Sequence, residues 1–452
     1  MNTPIQLRHW EQMGDPLADQ TVQAVARCQS HGDVPGLATA SRLMTQWTRN
    51  GDLAPWSPEP SGAAPQVVEA LQTYLAQAAT LPPWADPARI ARAEQIFMEH
   101  GPLSCTLLFC SSLPECYVLP HLAEVLHIAG QLEAHTEHRI RQTAAMVFPV
   151  MMRGGLTSPD GAGVAQVLKV RLIHATIRHL ILQGPADPAT AKTAQTPPSR
   201  MDLHQALCAH GWDDSKPGQP CNQVELAYTL LTFKYCFLQG MRKLGQGLSR
   251  EDETAYLHAW NVMGHMLGIH SELMAHSMEE AEALFARIQD HGRQHTVTPD
   301  PRPALGRALM HTMANSIRLP VIRSLPVPLT QWLIGAQTAR EIGVSENVSW
   351  WTHALFRTGL AVSRAIDTVV GLLIPRFSLS RLFTRIIGYH LLTRFLLDQT
   401  RPLNLPEHVL APMQNCVAAW GEDPHAAPWL NRLEDRLTTT GLWRGTPRGA
   451  PK

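Results

Sequence analysis

Residues that favour helices dominate the long segments of this chain, and the alternating Val/Ile/Thr/Tyr runs typical of strands are scarce. Helical periodicity extends with breaks from about residue 67 to 182 and from 222 to 291. Three shorter helical segments follow at 309–317, 329–342 and 349–397. The sequence therefore predicts an all-α protein.

Stretches rich in proline and glycine divide these segments. Residues 51–65 form a linker after two short predicted helices, and residues 295–303 form another break. Residues 183–220 contain six prolines and one short predicted helix around 201–210, so we expect a long loop that can cover a pocket. We predict four parts: an N-terminal helical appendage with its linker (1–65), a core (66–300), a C-terminal helical region packing on the core (301–440) and a disordered tail (441–452).

Charge and cysteine usage exclude several classes of function. Lys plus Arg equals Asp plus Glu at 38 each, which argues against a nucleic-acid partner. None of the eight cysteines forms CxxC or CxxCH, which argues against covalent c-type haem and zinc ribbons and favours reduced, mostly buried thiols. The first residues have no export-signal pattern and no apolar run is long enough to span a bilayer, so we expect a cytoplasmic protein.

A histidine on an apolar helical face is the most informative feature. In the segment 166–182, a helical projection places Val167, Val170, His174, Ile177 and Ile181 within about 80° of one another. This spacing predicts His174 inside a buried stripe rather than at its margin.

Arg171 and Arg178 lie three residues before and four residues after His174, along one edge of the same face. A neutral imidazole with aliphatic neighbours suits axial ligation of haem iron, and guanidinium groups can neutralise the haem propionates. A core histidine that is hydrogen-bonded to a backbone carbonyl fits the same pattern, and the spacing does not separate the two interpretations.

Two further segments carry polar groups on helical faces. Arg139, Gln142 and Thr143 share one face of a predicted helix, which suits either the polar end of a pocket or ordinary exposed contacts. His258 and His265 are seven residues apart and can face one cavity. In the same segment the pair Gly264 and Gly268 can admit a close helix crossing or a flat ligand.

Together these segments resemble the catalytic domain of the rubber oxygenases (latex-clearing proteins) and MpaB. The likeness is carried, in order, by Arg139-x-x-x-Thr143, KVRLIHATIR (169–178), NQVELAYTLLTF (222–233) and HAWNVMGHMLGIHSEL (258–273). It covers roughly residues 85–290.

The resemblance implies a globin-like helical core around haem b and an oxygenase that cleaves isoprenoid double bonds with dioxygen. It implies His174 as the proximal iron ligand, with Arg171, Arg178 and His265 also expected to contact the cofactor. Arg139 and Thr143 match pocket positions of the family, and Glu124 is the candidate acid/base by spacing. Gln142 stands where latex-clearing proteins have a distal lysine, which predicts a different sixth ligand. Without an export signal, a small prenyl-type lipid is a more reasonable substrate than rubber.

Two other interpretations remain open from the sequence: a haem-binding carrier or sensor without turnover, and a helical interaction protein without haem. The segment between residues 353 and 398 is basic and amphipathic, so it can lie on an anionic membrane or dock on its own domain. Its six arginines face two acidic residues: Arg357, Arg364, Arg376, Arg381, Arg385 and Arg394 against Asp367 and Asp398.

Overall fold

The computed structural model describes residues 6–28, 36–58, 64–130, 136–184, 203–213, 216–316, 323, 325–344 and 358. Within these ranges the chain is helical and has no strand, which confirms the all-α prediction. The helices are α1 Leu7–Glu11, α2 Pro16–Ala26, α3 Gly36–Met44, α4 Pro65–Ala78, α5 Pro87–Glu99, α6 Gly101–Leu107, α7 Leu113–Glu115, α8 Pro120–Gly130, α9 Thr136–Met151, α10 Gly163–Leu182, α11 Leu203–His210, α12 Gln223–Lys243, α13 Arg250–Met266, α14 Met278–Gly292, α15 Arg302–Ser316, α16 Pro326–Ile334 and α17 Ala336–Glu341.

Short polar side chains start several of these helices. Asp15 caps α2 directly before Pro16 at the first helical position, and Asn222 caps α12 by accepting from the Glu225 amide. Ser249 and Ser277 cap α13 and α14, which carry acidic residues in their first turns. The starts of these helices are therefore determined by the neighbouring sequence.

Three predicted boundaries differ from the structure. The N-terminal segment holds three helices rather than two, and the helix predicted at 309–317 begins at Arg302. The helix predicted at 329–342 is split into α16 and α17 at Gly335, whose φ of +86° favours glycine. The short helix predicted around 201–210 is confirmed as α11.

One large apolar core joins residues from α1 through α17, among them Leu7, Tyr74, Phe237 and Leu333. Helices of the predicted N-terminal and C-terminal parts therefore contact the central helices, although the boundaries of the four predicted parts stay predictions. A smaller cluster lies where α8, the end of α10 and α11 meet, and includes Val125, Ile181 and Leu207. The basic segment 353–398 lies outside the described residues except for Thr358.

No single helix in the described ranges is long and apolar enough to cross a membrane. One bent pair, Leu103–Glu115 with Pro120–Ala129, passes the same length and composition test together, with an angle of 110° between its halves. Both halves are largely buried in the fold. None of the seven cysteines in the described ranges is joined in a disulfide.

A buried carboxyl group lies at the centre of the helical packing. Glu115 of α7 accepts a hydrogen bond from the Gln289 amide at 3.0 Å, and its Oε2 lies 3.4 Å from the Tyr228 hydroxyl. Burial raises the pKa of Glu115 to about 8, although the charges of Arg293 and Lys243 oppose the rise. At neutral pH the folded protein therefore keeps a proton that the unfolded chain releases.

Glu115→Gln should flatten the pH dependence of stability between pH 5 and pH 8. A carboxyl whose folded pKa is raised lowers the free energy of unfolding as pH rises from the unfolded pKa to the folded one, by up to about 1.4 kcal/mol per pH unit. Urea unfolding at four pH values measures this slope. Glu282→Gln, at an exposed position of α14, is the control and should keep the wild-type slope. Equal slopes in all three proteins would show that Glu115 is ionised in the folded state.

Candidate functional site

Helix α10 carries the predicted histidine and packs against α2, α9, α11 and α13. Its buried face includes Val167, Leu168, Ala175 and Arg178. On the opposite side Val170 and Ile177 are half-buried, and the side chain of Ile173 is 46% exposed. The outward face of α10 is thus apolar and incompletely covered by the described residues.

His174 lies at the boundary between these two faces. The residue is half-buried, and its Nδ1 is sealed from solvent without a hydrogen-bond partner among the described residues. The prediction that it sits inside the buried stripe is wrong in this respect, because only Val167 and Ile181 at the ends of that stripe are buried. Measured around the axis of α10, the most buried face lies about a quarter turn away from His174.

The imidazole of His174 is neutral at ordinary pH. Burial lowers its pKa to about 4, the positive charge of Arg178 lowers it further, and the charge of Asp15 partly opposes both. A neutral imidazole is the form that binds a metal centre. A ring nitrogen that is buried without a hydrogen-bond partner costs about 1–3 kcal/mol.

Two ion pairs between α2 and α10 hold the histidine in place; we call them the double ion pair. Arg171 pairs through two nitrogens with Asp15, and the two side chains are 11% and 4% exposed. Arg178 is 2% exposed and donates to Asp19 at 2.6 and 2.9 Å and to the Cys221 carbonyl at 2.5 Å. The Arg171–Asp15 pair uses both carboxylate oxygens and is of the strong, geometrically specific kind, whereas both nitrogens of Arg178 donate to one oxygen of Asp19.

The double ion pair gives the two arginines a structural role. Their guanidinium groups pair with carboxylates, and Arg178 is enclosed by protein. Arg171 and Arg178 thereby fasten α2 to α10, and their expected contact with haem propionates stays a prediction.

Two glycines allow the double ion pair to form. A Cβ at Gly14 would lie 2.5 Å from the Asp19 carboxylate and 2.6 Å from the Arg178 Nε. A Cβ at Gly268 would collide with the Asp15 carboxylate and lie 2.8 Å from the Arg171 Nε, and its φ of +82° also favours glycine. The predicted close approach at Gly264 exists as well, because a Cβ there would lie 2.6 Å from Leu230 of α12.

Glu124 of α8 is buried in a polar cluster beside α11. Its carboxylate accepts from the Lys216 ammonium at 2.7 and 2.8 Å, and the His210 Nε2 lies 3.3 Å away. Burial alone would raise the pKa of Glu124, but the hydrogen bonds from His210 and Lys216 outweigh it and hold the pKa below its usual value. The group is therefore an ionised carboxylate at neutral pH.

The remaining predicted residues are divided between two places. Arg139, Gln142 and Thr143 lie on α9, which packs against α10, and Thr143 is half-buried. His265 instead is exposed at the end of α13, edge-on to Trp84 at 5.8 Å. Burial, followed by the charge of Arg171, lowers the pKa of His265.

His258 also contacts Trp84 and accepts a hydrogen bond from the Asp86 amide at 2.9 Å. The two histidines of α13 therefore share one neighbour, as their spacing predicts, but His265 lies at the surface rather than inside a buried cavity. The candidate residues accordingly lie on three helices: His174 on α10, Thr143 on α9, which packs against it, and Glu124 on α8, which meets the end of α10 in the smaller apolar cluster.

Sequence reasoning missed the partners of the predicted residues. Asp15 and Asp19 lie more than 150 positions before the arginines that they bind, and His210 and Lys216 lie in the segment predicted as a loop. The only signal in the sequence was spacing. Asp15 and Asp19 are four residues apart and Arg171 and Arg178 are seven apart, so each pair lies along one face of a helix.

Asp19→Ala should lower the free energy of unfolding by about 3–5 kcal/mol, because it leaves the enclosed guanidinium of Arg178 without its counter-charge. The double variant Asp19→Ala/Arg178→Met should recover part of this loss, since it removes the uncompensated charge. Urea unfolding of the three proteins measures the coupling. Asp160→Ala, whose pair with Arg49 is exposed, is the control and should unfold like the wild type. Additive losses in the double variant would contradict a coupled buried pair.

Comparison with known proteins places this arrangement in a family. A family model described as "ER-bound oxygenase mpaB/B'/Rubber oxygenase, catalytic domain" matches residues 117–365. This match begins and ends later than the predicted range of 85–290. It contains Glu124, Thr143 and His174, whereas Asp15 and Asp19 lie outside it.

A curated relative and a solved structure agree with the family model. The rubber oxygenase of Streptomyces sp. (strain K30) is 24% identical over 373 residues, which cover 80% of this chain and 79% of the relative. The structure of latex clearing protein LCP in the closed state aligns with a TM-score of 0.65 and 22% identity, over 90% of this chain and 96% of that one. At that identity the likeness shows a shared fold. Since the family model covers more than half of its residues, the chain belongs to the MpaB/rubber oxygenase catalytic-domain family.

Proposed function

We propose that this protein is a haem b-dependent oxygenase that cleaves, or adds dioxygen to, a double bond of a prenyl-type lipid. The observation that carries the proposal is the neutral, half-buried His174, whose sealed Nδ1 has no partner among the described residues. Membership of an oxygenase family supports the type of reaction.

The residues around His174 fit a haem group. A neutral imidazole is the usual proximal ligand of haem iron, and the half-buried Val170 and Ile177 with the exposed Ile173 offer an apolar surface for the macrocycle. When bound, haem iron supplies the binding and activation of dioxygen. The same apolar surface suits an uncharged isoprenoid chain better than a polar substrate.

Lys169 is a further candidate partner of a propionate, beside the two arginines. It lies four residues before Ile173, on the outward face of α10, and no carboxylate among the described residues pairs with it. Burial lowers the pKa of Lys169 to about 8, so a nearby anion would restore its ordinary affinity for a proton. A haem carboxylate at this position meets that condition.

We assign Glu124 as the group that accepts a proton near the substrate. It is ionised at neutral pH and is oriented by Lys216 and His210, so it can accept a proton without first losing one. Arg139 and Thr143 lie on the neighbouring helix α9 and are assigned to positioning within the pocket. Gln142 takes the place of a distal lysine on that helix, and an amide is a weak iron ligand.

A cytoplasmic location with peripheral contact to a membrane is proposed from the sequence alone. It rests on the basic segment 353–398 and on the expected lipid substrate, and it stays a prediction.

Protein purified after expression with sufficient haem should show a Soret absorption band that His174→Ala abolishes, because the variant lacks the axial imidazole. His179→Ala is the matched control, since His179 also lies half-buried on α10, and it should keep the band. Far-UV circular dichroism checks that both variants fold. A wild-type protein that takes up no haem, or a His174→Ala variant with an unchanged band, would refute the proposal.

Haem-loaded protein should consume dioxygen in the presence of squalene or a farnesylated compound. Cleavage of one carbon–carbon double bond by one dioxygen gives two carbonyl groups, each carrying one oxygen atom, so ¹⁸O₂ should label both products. Glu124→Gln should lower kcat by about 10²–10⁴-fold if the carboxylate transfers a proton in the slow step. Haem binding without dioxygen uptake across such substrates would favour the carrier or sensor instead.

A further inference from the structure

Three metal-ligating side chains converge where the end of α1 meets the end of α14. They are Glu11 at the end of α1, His291 in the last turn of α14 and His295 just after it. Each offers one ligand atom, and the three atoms lie within 4.8 Å of one another. The Glu11 Oε1 lies 3.0 Å from the His291 Nε2 and 3.6 Å from the His295 Nε2.

We propose that Glu11, His291 and His295 form a binding site for a divalent transition-metal ion of the Zn²⁺ type. Two imidazoles and one carboxylate are a recurring ligand set for Zn²⁺ and Fe²⁺ in proteins. Ligands about 2.1 Å from a tetrahedral zinc ion lie about 3.4 Å apart, and the two distances to Glu11 bracket that value.

The local chemistry favours a cation. Glu11 is only 6% exposed, and among the described residues no lysine or arginine pairs with it. A buried carboxylate needs a counter-charge, and two imidazoles supply one only when protonated. The Nε2 of His291 is sealed from solvent and has no hydrogen bond of normal geometry among the described residues, so its lone pair is available to a metal.

A second buried carboxyl group lies within electrostatic reach of Glu11. Burial raises the pKa of Glu225 to about 8; the amides of Asn222 and Cys221 oppose the rise, while the charge of Glu11 adds to it. Glu225 is therefore protonated at neutral pH and supplies no positive counter-charge to Glu11.

The ligands are held by packing. The ring of His295 stacks flat on His121 of α8, with centroids 4.6 Å apart and planes within 14°, which fixes its orientation. The backbone of Glu11 is held by the Gln219 amide, which donates to its carbonyl at 3.0 Å. A surface pocket of about 660 Å³ lies between α1 and α14 and has His291 in its wall, so the ligand cluster lies close to the protein surface.

The site would join residues inside the family match to a segment outside it. His291 and His295 lie within residues 117–365, whereas Glu11 precedes them by more than 270 positions. Metal binding would therefore tie α1 to α14 across the core. This metal site does not involve haem, which the proposed function assigns to His174.

Zinc content after chelator treatment, reloading with Zn²⁺ and dialysis tests the proposal on the full-length protein. Wild type should retain about one zinc per chain by plasma mass spectrometry, which counts haem iron separately. His295→Ala and Glu11→Gln should bind Zn²⁺ at least tenfold more weakly, since each removes one of three protein ligands. His311→Ala, which removes an exposed histidine of α15, is the control and should retain zinc like the wild type.

Crystals of wild-type protein soaked with Zn²⁺ give a test that does not depend on variants. The proposal predicts an anomalous peak bonded to Glu11, His291 and His295. Retention of no zinc by the wild type, equal retention by the wild type and both ligand variants, or anomalous peaks only at other residues would each overturn it. If a ligand variant fails to fold by circular dichroism, the crystal result decides.

Discussion

The double ion pair between α2 and α10 is the interaction on which the candidate site depends. Asp15 and Asp19 lie four apart on α2 and bind Arg171 and Arg178, which lie three before and four after His174. The two contacts on either side of the histidine fix both the rotation and the position of α10. Removing one carboxylate would leave a guanidinium buried without a counter-charge, so the loss of either partner of a pair strongly destabilises the fold.

The double ion pair also shapes the chemistry of His174. Arg178 adds positive charge that, with burial, keeps the imidazole neutral, while the apolar outward face of α10 stays incompletely covered. Glu124 is instead charged, because Lys216 and His210 stabilise its ionised carboxylate. A neutral imidazole and an anionic carboxylate therefore lie on helices that meet at one small apolar cluster.

Composition and periodicity were sufficient to predict the all-α class and the short helix α11, and the order of four motifs was sufficient to indicate the family, because these depend on local sequence. The position of His174 on α10 was also predictable, but its depth was not, since a helical projection shows which residues share a face and not which face is buried deepest. The ion pairs of Arg171 and Arg178 were not predictable, because their partners lie over 150 residues away. The exposed position of His265 and the cluster of Glu11 with His291 and His295 likewise depend on tertiary contacts alone.

Chemical rescue of His174→Gly tests the central claim most directly, namely that the fold presents this imidazole to haem iron. The glycine variant should purify without the Soret band, and millimolar imidazole with haem should restore the band at the wild-type position, because the free base can occupy the space of the missing side chain. The double ion pair should keep α10 in place during the exchange, as unchanged circular dichroism would show. A His174→Gly variant that binds haem with the wild-type spectrum in the absence of imidazole would contradict the account.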